Sequence, residues 1–221
     1  MHPLDPLNRD ELDRTVQIIR EQMDLPFDAL FEQVRLKEPP KALVHAFNTG
    51  TAPEISREAF AVVLDRSADK VCEVVVSLSS DTMTSCDVIP GARIAFLDEE
   101  SAEFRRIICE HPDFLAALER RGISDPEQVH IEGFAVANLA EPYEKHLRHT
   151  RAHCFFREDP QDNAHVRPIE GLVPVVDLNN REVLRIEDNG VAPLPPDLGD
   201  YRSDRLHTRQ PLAPLDITQP D

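Results

Sequence analysis

Apolar residues recur at helical spacing near the start of the chain. Leu12, Val16, Ile19 and Met23 fall on one face of a helix, with Ile18 widening the stripe. Asn8 followed three residues later by Glu11 has the form of a capping box, and Pro26 stops the run. The spacing predicts a helix from Asn8 to about Met23. The period then changes to two. Phe27 to Leu36, Ala42 to Phe47, Ala59 to Leu64, Val71 to Leu78 and Thr82 to Val88 read as short strands. They are separated by Pro39-Pro40, Asn48-Thr49-Gly50, the 65–69 segment and Ser79-Ser80-Asp81. With no helical pattern seen between them, neighbouring strands are expected to pair antiparallel. One helix laid on a meandering sheet buries both apolar faces.

The arrangement then repeats. Asp98 is placed to cap an acidic helix start, and Phe104, Ile107 and Ile108 form the apolar face. Pro112 opens a second helix containing Phe114, Leu115 and Leu118, which Gly122 closes. Strand-like segments follow at Val129 to Ala137, Arg151 to Arg157, Leu172 to Leu178 and Glu182 to Ile186. Asn179-Asn180 is expected as a two-residue hairpin turn. The pattern therefore predicts an α+β protein of two tandem small domains, residues 1–92 and 93–191, each with helix packed on an antiparallel sheet. Residues 192–221, with six prolines and little periodicity, are expected as an extended Pro-rich arm.

Composition narrows the partners. In 221 residues, 41 acidic side chains face 24 basic ones, a formal charge of -17. A surface of that sign disfavours nucleic acid and anionic lipid. No stretch approaches the roughly 18 apolar residues of a membrane span. Met1 to Asp5 shows neither a basic region nor an apolar run of the secretory kind, so a cytoplasmic location is expected. Cys72, Cys86, Cys109 and Cys154 lack Cys-x-x-Cys spacing and read as buried thiols, although Cys72 and Cys86 are placed to face each other across a hairpin.

Candidate chemistry is sparse. His146, His149 and His153 form the sharpest cluster, and three imidazoles suit zinc or copper. On a strand, however, His149 and His153 share a face while His146 points away. Nucleophile-elbow and phosphate-loop patterns are absent, and seven glycines leave little for a nucleotide loop. The Asp98-Glu99-Glu100 run is explained by a helix start.

One segment is more specific. Asp162-Asn163-Ala164-His165-Val166-Arg167-Pro168-Ile169-Glu170-Gly171-Leu172 leads through Asp177-Leu178 and Glu182 to Asp188-Asn189-Gly190. It resembles the stretch of copper-containing primary amine oxidases in which a His/Arg-Pro-Ile-Glu-Gly-Leu turn enters a hairpin ending Asp-x-Gly. His2 to Leu7 resembles the start of that family's first small accessory domain. Gly91 to Glu100 resembles the entry to the second, and Pro214 to Pro220 the lead-in to the catalytic domain.

The resemblance implies two cystatin-like, non-catalytic domains of an enzyme that oxidatively deaminates primary amines to aldehydes, releasing ammonia and hydrogen peroxide. The family's topaquinone arises from a Tyr in Asn-Tyr-Asp/Glu, and its copper is held by three histidines, two as His-x-His. Here Tyr143 follows Pro142, Tyr201 follows Asp200, and no His-x-His occurs. No cofactor, catalytic or metal residue is therefore expected in this chain, which should be inert alone. The implied partners are the catalytic domain of the parent enzyme and, in the parent, a second copy as a homodimer. Phe134, in Ile131-Glu132-Gly133-Phe134-Ala135, aligns with a position facing the family's substrate channel; the competing expectation is a core aromatic. Two alternatives stand beside this reading: a free-standing scaffold or binding protein of cystatin-like domains, and a small metal protein built on His146, His149 and His153.

Overall fold

Asn8 nucleates the first helix, α1 (Arg9–Met23), through a complete capping box. Its side chain accepts from the Glu11 amide at 3.0 Å, and the Glu11 carboxylate accepts from the Asn8 amide at 2.9 Å. Asp24, in the left-handed conformation, ends it. The computed structural model describes residues 2–135, 144, 146–160, 163–196, 210 and 213. Most of the expected Pro-rich arm therefore lies outside the described residues.

Four strands follow α1: β1 (Leu30–Lys37), β2 (Glu58–Asp65), β3 (Lys70–Ser77) and β4 (Thr82–Val88). They pair antiparallel in chain order as a meander. One element departs from expectation. The 42–47 segment is a helix, α2 (Lys41–Asn48), and not a strand. Its apolar residues are nearly continuous, and a run that short fits either period. Pro40 is its N-cap: it is extended, at φ -51 and ψ 139, and its carbonyl accepts from the Leu43 and Val44 amides to start the first turn.

The second unit opens with a short 3₁₀ turn, Asp98–Glu100, then α3 (Ser101–Cys109) and α4 (Pro112–Glu119). Asp98 does not cap this start. Instead the Glu100 carboxylate accepts from the Leu97 amide at 3.1 Å. Strands β5 (Val129–Ala135), β6 (His149–Phe156), β7 (Leu172–Asp177) and β8 (Glu182–Asp188) form a second antiparallel meander.

Three of the hairpins share one design. Asp65 pairs with Lys70, Ser77 with Thr82 and Asp177 with Glu182, leaving four residues in each loop. The last loop residue is left-handed each time: Asp69, Asp81 and Arg181. The expected two-residue turn at Asn179-Asn180 is thus a four-residue one. The Asp177 carboxylate accepts from both asparagine amides and holds it.

The α1 face of the first sheet buries Ala59, Ala61, Val63, Cys72, Val74 and Val76 beneath Ile18 and Ile19. The opposite face of β2 and β3 is also closed: Val62, Leu64 and Val71 pack on Ile94 of the connection between the two units. Burial on both faces is why β2 reads as an unbroken apolar run. In the second unit Phe104, Ile108, Phe114 and Leu118 of the helices cover Val129, Ile131, Cys154 and Val176 of the sheet.

Candidate functional site

Strand alternation assigns the two faces of the second sheet. Val129 and Ile131 on β5 point into the core, so His130, Glu132 and Phe134 point outward. Gly133 lies on the inward side, where an added Cβ would sit 3.3 Å from the Phe96 ring. That close approach lets Phe96 pack on Phe104, at 5.0 Å between centroids, behind the sheet. Antiparallel pairing then places Phe155, His153 and Arg151 of β6 opposite His130, Glu132 and Phe134. Six side chains of two strands therefore share one outer face.

Phe134 is 46% exposed on that face. Its ring lies over His153, with centroids 4.4 Å apart and planes tilted by 36°. The core-aromatic expectation for Phe134 does not hold, because the neighbouring glycine takes the inward position. Beside it, Arg151 reaches across to Glu187, which Arg185 also binds at 2.8 Å.

At the other end of the face, Glu132 holds two histidines. Its Oε1 is 3.0 Å from His130 Nε2 and 2.7 Å from His165 Nε2. His165 comes from a 3₁₀ turn, Ala164–Val166, whose start is capped by the Asn163 side chain accepting from the His165 amide. Burial works to raise the Glu132 carboxyl; the two imidazole contacts outweigh it and leave the group below the usual carboxylate range.

The histidines singled out by spacing do not converge. His146 is exposed in a turn, His149 directs Nε2 toward Glu144 at 3.9 Å, and His153 lies against Phe134. Among the described residues the grouping able to present three ligand atoms is His130, Glu132 and His165. Sequence spacing passed over it because His165 is 33 residues from Glu132. The alternation that aligns His130 with Glu132 was the available signal. Tyr143 and Tyr201 lie outside the described residues. With no His-x-His in the sequence and no Asn before either tyrosine, the chain lacks the residue patterns that the resemblance links to copper and topaquinone.

The Arg167-Pro168-Ile169 segment bridges β6 and the start of β7. The Phe156 amide donates to the Arg167 carbonyl, and the Ile169 amide donates to the Cys154 carbonyl, both at 2.8 Å. Gly171 has φ +74 and meets the Gly190 carbonyl, so the turn accepts little but glycine there.

The two units are joined by buried charge. Glu100 binds Arg148 of the second unit in two contacts, Nη1 to Oε1 at 2.8 Å and Nη2 to Oε2 at 2.5 Å. It also binds Arg66 of the β2–β3 hairpin. Arg148 further donates to the Ile94 and Ala95 carbonyls of the connection, at 3.2 and 2.6 Å. Arg181 to Asp28 at 3.1 Å and Asn179 to Asp69 at 2.8 Å add contacts across the junction.

Fold and junction define a tandem pair of small α+β domains, each a helix-backed meander, with the Glu100 carboxylate at the centre of the contacts between them. The family model for the copper amine oxidase N2 domain matches residues 2–89, and that for the N3 domain matches residues 99–204. The chain belongs to the copper amine oxidase family through these two N-terminal domains. It is 35% identical over its whole length to a primary amine oxidase of Arthrobacter sp. (strain P1), of which it covers 33%. A primary amine oxidase of Klebsiella aerogenes is 30% identical over the whole chain, which covers 29% of it. The chain thus spans about a third of the length of these relatives. In fold, it resembles a copper-containing benzylamine oxidase from Hansenula polymorpha with a TM-score of 0.73 at 22% identity. That match covers 99% of this chain and 37% of the other.

Proposed function

We propose that the chain serves as the non-catalytic N-terminal portion of an enzyme that converts primary amines to aldehyde, ammonia and hydrogen peroxide. In this reading the units at 1–92 and 93–191 pack on a catalytic domain, support a homodimer, and lead through residues 192–221 toward that domain. The observation that carries the reading furthest is Phe134. An aromatic ring held outward on a rigid strand, braced by His153, is suited to line a channel that admits amines. The acidic surface, at a formal charge of -17, favours the approach of cationic ammonium substrates.

Two measurements test this. The 221-residue chain, mixed with methylamine or benzylamine in a peroxide-coupled assay, is expected to show no turnover; turnover would overturn the non-catalytic assignment. In an amine oxidase polypeptide carrying these domains, Phe134→Ala is expected to change the benzylamine-to-methylamine ratio of kcat/KM. A change of about fivefold corresponds to ~1 kcal/mol of altered contact in the transition state. An unchanged ratio, with copper content intact, would remove Phe134 from the channel.

A further inference from the structure

We propose that His130, Glu132 and His165 form a binding site for a first-row divalent cation, with Zn²⁺ the best-suited ion, tying β5 to the turn that precedes β7.

The donor set is the first reason. Two imidazole nitrogens and one carboxylate oxygen are ligands that zinc takes in tetrahedral sites, with a water completing the fourth position. All three ligand atoms lie within 4.8 Å of one another. Ligand bonds of roughly 2.0–2.1 Å in a tetrahedron place neighbouring donors about 3.3 Å apart. The oxygen of Glu132 is 3.0 Å from one Nε2 and 2.7 Å from the other. A metal therefore needs those separations to open by about 0.3 and 0.6 Å as it replaces the shared protons.

The scaffold is the second reason. His130 and Glu132 sit two residues apart on one face of a paired strand, so their spacing is set by the pleat. His165 is delivered by the turn that Asn163 caps. Phe155, across from His130, contacts both imidazoles, with centroids 6.3 Å from His130 and 5.1 Å from His165. It limits their swing and shields one side. The His165 side chain is 57% exposed, so a cation can enter from solvent without opening the core.

The test uses the untagged 221-residue chain, stripped with chelator and then titrated with ZnCl₂ under native mass spectrometry and calorimetry. The expected result is one Zn²⁺ per chain and a melting temperature that rises with zinc. Glu132→Gln and His165→Ala are each expected to weaken Kd by at least about 100-fold, since even losing an outer-shell partner costs 10–100-fold. His153→Ala, on the same face but outside the cluster, should leave Kd unchanged. Circular dichroism of each variant is the check that a weakened Kd does not come from unfolding; the exposure of His165 favours retention of the fold. Cobalt provides an independent readout: Co²⁺ at this site should give visible absorption bands of four-coordinate intensity, absent in His165→Ala. Failure of the wild-type chain to take up zinc would overturn the proposal, as would uptake that persists with unchanged Kd in both variants.

Discussion

Replacing Glu100 with alanine would remove the carboxylate on which two arginines from different parts of the chain converge. The Glu100 side chain is 5% exposed, that of Arg148 2% and that of Arg66 10%. Deleting one partner of a buried pair leaves an uncompensated buried charge and costs about 3–5 kcal/mol. Glu100 answers two guanidiniums, while Arg148 keeps its bonds to the Ile94 and Ala95 carbonyls. Glu100→Ala should therefore fall within that range, and Glu100→Gln, which keeps an acceptor and the packing, at about half of it. Arg66→Ala, which leaves the Arg148 pair intact, should cost less than either. Urea unfolding at pH 7 measures these differences as shifts in midpoint at constant slope.

The pH dependence supplies the sign. Burial works to raise the Glu100 carboxyl, but the Arg148 hydrogen bonds and charge, the Leu97 amide and Arg66 hold it below its ordinary 4.5. A carboxylate lowered on folding contributes stability that is present above its unfolded value and lost as pH falls through the folded one. The gap between the native chain and Glu100→Gln should be full at neutral pH and narrow below 4.5. A Glu100→Ala variant within about 1 kcal/mol of the native chain would refute this reasoning, because that is the cost of an exposed pair.

Two further outcomes follow from the packing. Asn8→Ala removes the side-chain acceptor of the capping box and should destabilise α1 by about 1 kcal/mol, read by thermal unfolding; no change would mean the cap is replaced by solvent. Burial pushes the Cys154 thiol up to about 12; burial and then the neighbouring Cys86 push Cys72 to about 11, whereas Cys86 itself is exposed. Iodoacetamide at pH 8 should label Cys86 first by peptide mass spectrometry, and labelling of Cys154 at a comparable rate would contradict its placement in the core.

Much of the architecture was legible in the chain. The α1 helix announced itself through a 3.6-residue period and the Asn8-Glu11 cap, both of which act over a single turn. Strands β2, β3, β7 and β8 were legible because alternation or unbroken apolar character persisted over at least five residues. The 42–47 segment was not, since a short apolar run carries no decisive period; Pro40 is the N-cap of the helix found there. The Asn179-Asn180 turn was misjudged by two residues because Asp177, outside the apparent turn, supplies the hydrogen bonds. The outward setting of Phe134 follows from Gly133, whose inward role depends on Phe96, 37 residues earlier.

By itself, then, the sequence determined what depends on near neighbours: helix caps, strand periods, two helix-and-sheet units in order, and the Arg167 to Leu172 motif that marks the family. Tertiary structure decided what depends on residues far apart in the chain meeting in space. Glu100 meets Arg148 across 48 positions and Arg66 across 34. His165 meets Glu132 across 33. The histidines close in sequence do not converge: His146 lies in a turn, and His149 and His153 stand apart along β6. Chain spacing predicts contact only within one element; between elements, strand register and turn geometry set which side chains share a face.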